Sequence, residues 1–146
     1  MTRLAALDLR RGQYVAYSSS RTTDGMWIAN GVFEILDGPA DAPTLGAAVR
    51  RMLDASRGGV PTPDFQGPSQ FAPILDALGL RSFNGYARGT RHVHVEQDTG
   101  AVTVIPTRNG GAREGFVGLA EHAVRLTDPG DAELGEALLA ALDRSR

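Results

Sequence analysis

The chain has 146 residues, 42% of them hydrophobic and 22% charged, with a formal net charge of -2; this is the composition of an ordinary globular protein, read as one domain over residues 1–146. It has no cysteine, and all 15 basic residues are arginine, which excludes disulfides, thiolate metal sites, cysteine nucleophiles, lysine Schiff bases and a P-loop lysine. The net charge argues against bulk electrostatic capture of nucleic acid. No run approaches ~18 apolar residues, so no membrane span is expected, and the short apolar start Met1–Leu7 meets Asp8 too soon for a signal peptide. The expected location is the cytoplasm.

In chain order, Leu4–Leu9 and Gln13–Ser19 read as strands around a turn at Arg11-Gly12. Met26–Ala29 and Val32–Leu36 follow, flanking Asn30-Gly31, a pair suited to a type I′ hairpin turn. Leu45, Ala48, Val49, Met52 and Leu53 then stand at i, i+3, i+4, i+7 and i+8, one apolar stripe of a helix, with Asp41 or Thr44 available as its cap. Six of the 11 residues in Gly58–Pro68 are Gly or Pro, an irregular arm. Phe71, Ile74, Leu75 and Leu78 fit a short helix begun by Ser69 and ended by Gly79, and Ser82–Arg88 adds a helical turn. Arg91–Gln97 and Ala101–Thr107 are strands around Asp98-Thr99-Gly100, with clear alternation in Val93-His94-Val95-Glu96. A loop, Arg108–Arg113, leads to strands at Gly115–Leu119 and Ala123–Leu126. Leu134, Ala137, Leu138, Ala141 and Leu142 form the last helical stripe, capped by Asp131. Leu139 and Ala140 widen that apolar face and leave room for a homodimer.

The two long helices match each other. LGAAVRRMLDASR at 45–57 and LGEALLAALDRSR at 134–146 share seven of 13 positions, and Gly38-Pro39 and Asp128-Pro129 precede them at nearly the same offset. The reading is an α+β protein of two repeated strands-then-helix halves, about 1–57 and 90–146, around a helical insertion at 58–89, with antiparallel sheets and packed helices.

The sharper chemical motifs each meet a plainer alternative. His92 and His94 share one strand face, and His122 or Glu121 would be needed to complete a metal site; because Val93 and Val95 take the buried face, an exposed face without metal is preferred. Ser18-Ser19-Ser20 has no elbow motif or assignable base and reads as an exposed polar strand end. Arg108-Asn109-Gly110-Gly111 offers amides for an anion but matches no nucleotide motif, and reads as a hairpin loop. Arg10, Arg11 and Arg21 lie near Tyr14, Tyr17 and Trp27, the ingredients of a single-stranded nucleic-acid platform. Tyr14 and Tyr17, however, point to opposite faces. No catalytic residue, metal site or cofactor is assigned.

Three blocks carry a family resemblance: Gly79-Leu80-Arg81-Ser82-Phe83 with Tyr86, Arg88 and Gly89; Val104-Ile105-Pro106-Thr107-Arg108-Asn109-Gly110-Gly111 with Gly115-Phe116-Val117-Gly118-Leu119; and Leu134-Gly135-Glu136-Ala137-Leu138-Leu139. The second half, about 79–146, resembles the C-terminal half of contact-dependent growth inhibition immunity proteins. That resemblance implies a cytoplasmic, non-enzymatic inhibitor of the toxic C-terminal domain of a large secreted effector, often a nuclease. The duplicated unit is also similar to the Whirly fold, in which two sheets cross and which elsewhere binds single-stranded nucleic acid; that is the alternative function. For an inhibitor, the candidate anchors are Trp27, Tyr17, Tyr86, Arg108 and Arg113, and turn position nominates Asp24, Asp98, Glu114 and Glu121 as acids complementing a cationic cleft.

Overall fold

The computed structural model describes residues 2–146. Strands β1 (Arg3–Arg10), β2 (Gln13–Arg21) and β3 (Trp27–Asp37) come first, followed by helix α1 (Ala42–Ala55). Two short helices, α2 (Ala72–Leu78) and α3 (Phe83–Ala87), occupy the insertion. Strands β4 (Arg91–Asp98) and β5 (Ala101–Asn109), a helical turn α4 (Gly111–Glu114), the short strands β6 (Phe116–Gly118) and β7 (Val124–Thr127), and helix α5 (Asp131–Arg144) complete the chain. A 3-10 turn at Ala120–His122 separates β6 from β7.

Both hairpins turn through two residues of positive φ, Arg11-Gly12 at 51° and 74° and Thr99-Gly100 at 46° and 79°. That conformation carries the twist that lets the flanking strands pair. The strands then join edge to edge in the order β3-β2-β1-β4-β5-β6, with β7 also on β5. The seam between the two hairpins is antiparallel, from Arg3 opposite Gln97 to Leu9 opposite Arg91. The Whirly likeness implied two crossing sheets; the strands here make one seven-stranded antiparallel sheet.

Alternation along the central strands decides what each face meets. Ala5, Leu7, Ala16, Val93, Val95, Val102 and Val104 face α1 and α5 and are buried with Leu45, Val49, Leu53, Leu134 and Leu138. Each of the larger side chains among them contributes about 1.5–3 kcal/mol. The helices cross where Gly46 and Gly135 let their backbones touch: a Cβ on Gly46 would lie 1.9 Å from the Asp131 carbonyl oxygen, and one on Gly135 1.7 Å from that of Ala42. The opposite face carries Val15, packed with Phe71, Ile74, Leu75 and Tyr86 from the insertion. Tyr14 packs on the first core and Tyr17 on the second, so each face takes one tyrosine.

Both long helices have 14 residues and end on a serine that is bonded to the sheet. The Ser56 hydroxyl accepts from the Leu4 N–H (3.1 Å) and donates to the Ser19 carbonyl (2.5 Å). The Ser145 hydroxyl accepts from the Thr107 N–H (3.3 Å) and lies 3.1 Å from the His92 carbonyl. The next carbonyl in each case, of Arg57 or Arg146, accepts from the end of a strand, Arg21 N–H or Asn109 N–H. Identical residues at matched positions thus make matched bonds.

Three expectations change. Asn30-Gly31 is not a hairpin turn: β3 runs through it, with a bulge opposite Ser18. The Asn30 amide holds the Ser18 and Ser20 hydroxyls (both 2.9 Å), and Gly31 takes φ 87°, so the pair is absorbed as a bulge that ties β3 to β2. Asp131 is the first residue of α5 rather than its cap; Gly130 is the cap, and the Asp131 carboxylate instead accepts from Arg50 Nε at 2.9 Å. Asp41 does cap α1, accepting from the Thr44 N–H at 2.9 Å. The 108–113 segment is less loop than expected, since β5 continues to Asn109 and α4 begins at Gly111.

Candidate functional site

A carboxylate sits in the middle of the sheet. Asp8 is fully buried, on the β1 face that meets the insertion, and its cross-strand partner is His92. Its Oδ1 lies 2.5 Å from His92 Nδ1, and its Oδ2 accepts from the Tyr86 hydroxyl, which descends from α3. The Tyr86 carbonyl accepts from Thr90 Oγ1 (2.6 Å) and Arg10 Nε (3.4 Å), and the Arg10 guanidinium lies over the Tyr86 ring. Among the described residues no buried side-chain nitrogen or oxygen lacks a partner. Such networks are costly to leave half-satisfied and hold one geometry when complete.

A carboxylate orienting a histidine is half of an acid–base device, but among the described residues the neighbouring hydroxyls do not engage the imidazole. The His92 ring stacks on Phe116, with centroids 4.2 Å apart and planes 10° from parallel. The nearby Ser145 and Thr107 hydroxyls bond the His92 backbone carbonyl, not its ring. The network's evident work is to lock α3 and β6 onto the sheet.

Burial, and then the Asp8 charge, push the Tyr86 phenol far above its ordinary value, and the same causes in the same order raise Tyr17. Both groups therefore stay protonated in the folded protein where an unfolded tyrosine, near pH 10, ionises. The stability these phenols contribute is fully present below about pH 10. Above it the unfolded chain releases protons that the folded one keeps, so stability falls as pH rises. Absorbance at 295 nm during alkaline titration should show Tyr17 and Tyr86 phenolates only together with loss of the folded circular dichroism signal.

His94 and Glu96 continue the line of His92 on β4, and the three line a hollow of about 270 Å³ with Ile105, Thr107 and Phe116. The His-x-His face is therefore not open strand surface: His92 is buried and His94 half-buried. Burial, and then proximity to His92, lower the His94 pKa. Its Nε2 lies 3.3 Å from Glu96 Oε1. The residues suggested to complete a metal site lie elsewhere. His122 Nδ1 is 3.2 Å from Arg144, Glu121 lies on the 3-10 turn, and the described residues contain no group of three or more His, Asp or Glu able to hold an ion.

The nominated interface residues separate between the two ends of the sheet. Arg108, Arg113 and Glu114 lie at the end where β5 finishes, with Tyr86 beneath. Asp24 and Trp27 lie at the far end, after β2 and at the start of β3, and Asp98 closes β4 at that same end, two strands away. Glu121 stands apart on the 3-10 turn. The four acids thus form no single patch. Glu114 is already paired with Arg108 at 3.0 Å, which holds its carboxyl below the usual range, and Asp24 accepts from Thr62 Oγ1 at 2.7 Å. Tyr86 must be corrected outright: it is 0% exposed and cannot anchor a partner. The Ser18–Ser20 run is also not an exposed strand end, since all three are buried. The nucleic-acid platform is dispersed as well, with Arg10 buried against Tyr86 and Tyr14 turned to the helix-side core.

The first two resemblance blocks, by contrast, meet, while the third, on α5, packs on the opposite face of the sheet from the first. Asn109 Nδ2 donates to the carbonyls of Ala87 (2.7 Å) and Thr90 (3.1 Å), joining the first block to the second. Phe83 meets Phe116 edge-on at 6.4 Å. A family model for the CDI immunity protein CdiI matches residues 12–145. The chain belongs to the CDI immunity protein family. Among solved structures it is similar over its whole length to a protein of unknown function from Neisseria meningitidis, with TM-score 0.79 and 19% identity over 96% of that chain. It is about equally similar to a chain of a CdiA-CT/CdiI toxin and immunity complex from Yersinia pseudotuberculosis, with TM-score 0.78 and 17% identity over 98% of that chain. At such identities these likenesses establish the fold. No curated protein matches by sequence. The CdiI match covers both halves, whereas the sequence motifs pointed mainly to the second.

Sequence reading missed Asp8 as an organising residue. The signal was present: an acid inside the run Leu4-Ala5-Ala6-Leu7-Asp8-Leu9, where a strand offers it no water, calls for a buried partner. No helix of the described residues is long and apolar enough to cross a membrane.

Proposed function

We infer that this protein is the specific antidote to a toxin: it binds the C-terminal toxin domain of a secreted growth-inhibition effector, one to one, and blocks it by occupation rather than by catalysis. The CdiI match over residues 12–145 carries this reading. The toxin–immunity complex among its structural relatives supports it. A sheet braced on both faces, with its buried polar groups satisfied, is a scaffold that loses little freedom when it docks. We place its action in the cytoplasm and its target among nucleases. Trp27, Asp24, Asp98, Arg108, Arg113, Glu114 and Glu121 remain the proposed contacts, drawn from loops at the two ends and one edge of the sheet.

The test is co-expression with the C-terminal domain of the effector encoded beside it. The expected result is a stable complex on gel filtration, restored growth of cells producing the toxin domain, and arrest of nucleic-acid degradation by the purified domain. A toxin domain that neither co-purifies with the protein nor loses activity in its presence would overturn the reading. Light scattering on the free protein reads the remaining choice, a 15.5 kDa monomer or the homodimer that the broad α5 face suggested.

A further inference from the structure

Three arginines gather around one hollow where β5, the segment after α3 and the end of α5 meet. The hollow, of about 490 Å³, is lined by Arg88, Thr90, Arg91, Asn109 and Arg146 along with Gly89 and Gly111. It adjoins a second, of about 240 Å³, that shares Arg88, Asn109 and Gly111. No Asp or Glu lines either one. Arg88, Arg91 and Arg146 are all exposed, and among the described residues none of the three takes part in an ion pair. Glu114, at the same end of the sheet, is held by Arg108. In a chain whose net charge is -2, this is local accumulation of positive charge and not a general property of the surface.

The walls are fixed. Asn109 spends its amide on the Ala87 and Thr90 carbonyls, its side-chain oxygen accepts from the Gly111 N–H at 3.0 Å, and its backbone N–H donates to the Arg146 carbonyl at 2.5 Å. A rigid rim carrying unpaired guanidinium groups suits carboxylates, which arginine grips in a planar, two-pronged contact. A nucleic-acid backbone fits less well. It needs an extended cationic track, and a negatively charged protein repels it at range.

We propose that this arginine-lined hollow receives an acidic segment of the toxin domain, one or more Asp or Glu side chains. The proposal rests on the immunity reading. It adds a site on the first strand residue of β4 and the α3 exit that the nominated residues did not include, beside Arg108 and Arg113, which they did.

The test is toxin-domain affinity for the full-length protein and for a triple variant, R88E, R91E and R146E, by surface plasmon resonance at several salt concentrations. A control variant, R125E, carries one reversed charge on β7, away from the hollow. The triple variant should bind roughly 100-fold more weakly, much of it in the association rate, and should lose most of the salt dependence shown by the wild type. R125E should bind as the wild type does. Thermal unfolding within a few degrees of wild type establishes that the substitutions leave the fold intact. If the wild type binds and the folded triple variant binds equally well, this proposal is wrong and the immunity reading stands. If the wild type does not bind at all, both fall. A fluorescein-labelled single-stranded 20-mer is the second probe: binding at 100 mM NaCl that the triple variant loses would reassign the hollow to nucleic acid.

Discussion

Replacing Gly135 with alanine, or Gly46, should destabilise the protein by about 3 kcal/mol or more, lowering its melting temperature by roughly 6–12 °C. The direction is informative because the same substitution in an ordinary helix interior gains up to about 1 kcal/mol from backbone entropy. Here the added carbon would meet backbone, 1.7 Å from the Ala42 carbonyl oxygen in one case and 1.9 Å from that of Asp131 in the other. Neither neighbour is the flexible end of a side chain, so α1 and α5 must part. Parting them loosens Leu45, Leu134 and Leu138, all fully buried. The reciprocal geometry sets a second expectation. Each single variant already separates the helices, so the double variant should cost less than the sum of the two. Urea titrations of the two single variants and the double variant measure both effects, and alanine variants as stable as wild type would refute the close crossing.

Asp8→Ala should cost about 3–5 kcal/mol, because it leaves the Tyr86 hydroxyl and His92 Nδ1 buried without their shared acceptor. Asp8→Asn keeps the shape and one acceptor, and the imidazole can change tautomer to accept from the new amide; its expected cost is smaller, roughly 1–2 kcal/mol. The comparison of the two variants, read from urea midpoints, shows how far an isosteric amide can stand in for the carboxylate. Equal costs would mean that shape contributes nothing and that the paired acceptors and charge of the carboxylate carry the network. Because Tyr86 anchors α3, Asp8→Ala should also speed hydrogen exchange in residues 83–90 before it does so in α1.

The elements with strong period were legible from the chain itself. The α1 and α5 stripes, the Arg11-Gly12 and Thr99-Gly100 turns, the Gly79 end of the short helix and the turn begun by Ser82 lie where spacing and local chemistry put them, although the short helix begins at Ala72, with Phe71 as its cap, and not from Ser69. In each case the determinant is local. Asn30-Gly31 shows where local chemistry misleads: the pair favours a turn, but the Ser18 and Ser20 hydroxyls offer the Asn30 amide partners on the neighbouring strand, and pairing of β3 with β2 prevails. Tyr86 shows the same limit for function. An aromatic residue in a short polar helix reads as surface until the buried acid that its hydroxyl serves, 78 positions away, is seen. The arginine-lined hollow was not legible, because Arg88, Arg91 and Arg146 become neighbours only through the pairing of β4 with β5 and the docking of the residues after α5.

The seam at the middle of the sheet has a kinetic meaning. Each hairpin can zip within about twenty residues, but β1 meets β4 only across some ninety positions, Arg3 with Gln97 and Leu9 with Arg91. Until the later hairpin is synthesised, the inner edge of β1 offers its bare amides and carbonyls, and the apolar side of the first hairpin has one helix to cover it instead of two. A nascent or prematurely terminated chain is therefore a sticky object, and reaching the finished state requires a long-distance encounter.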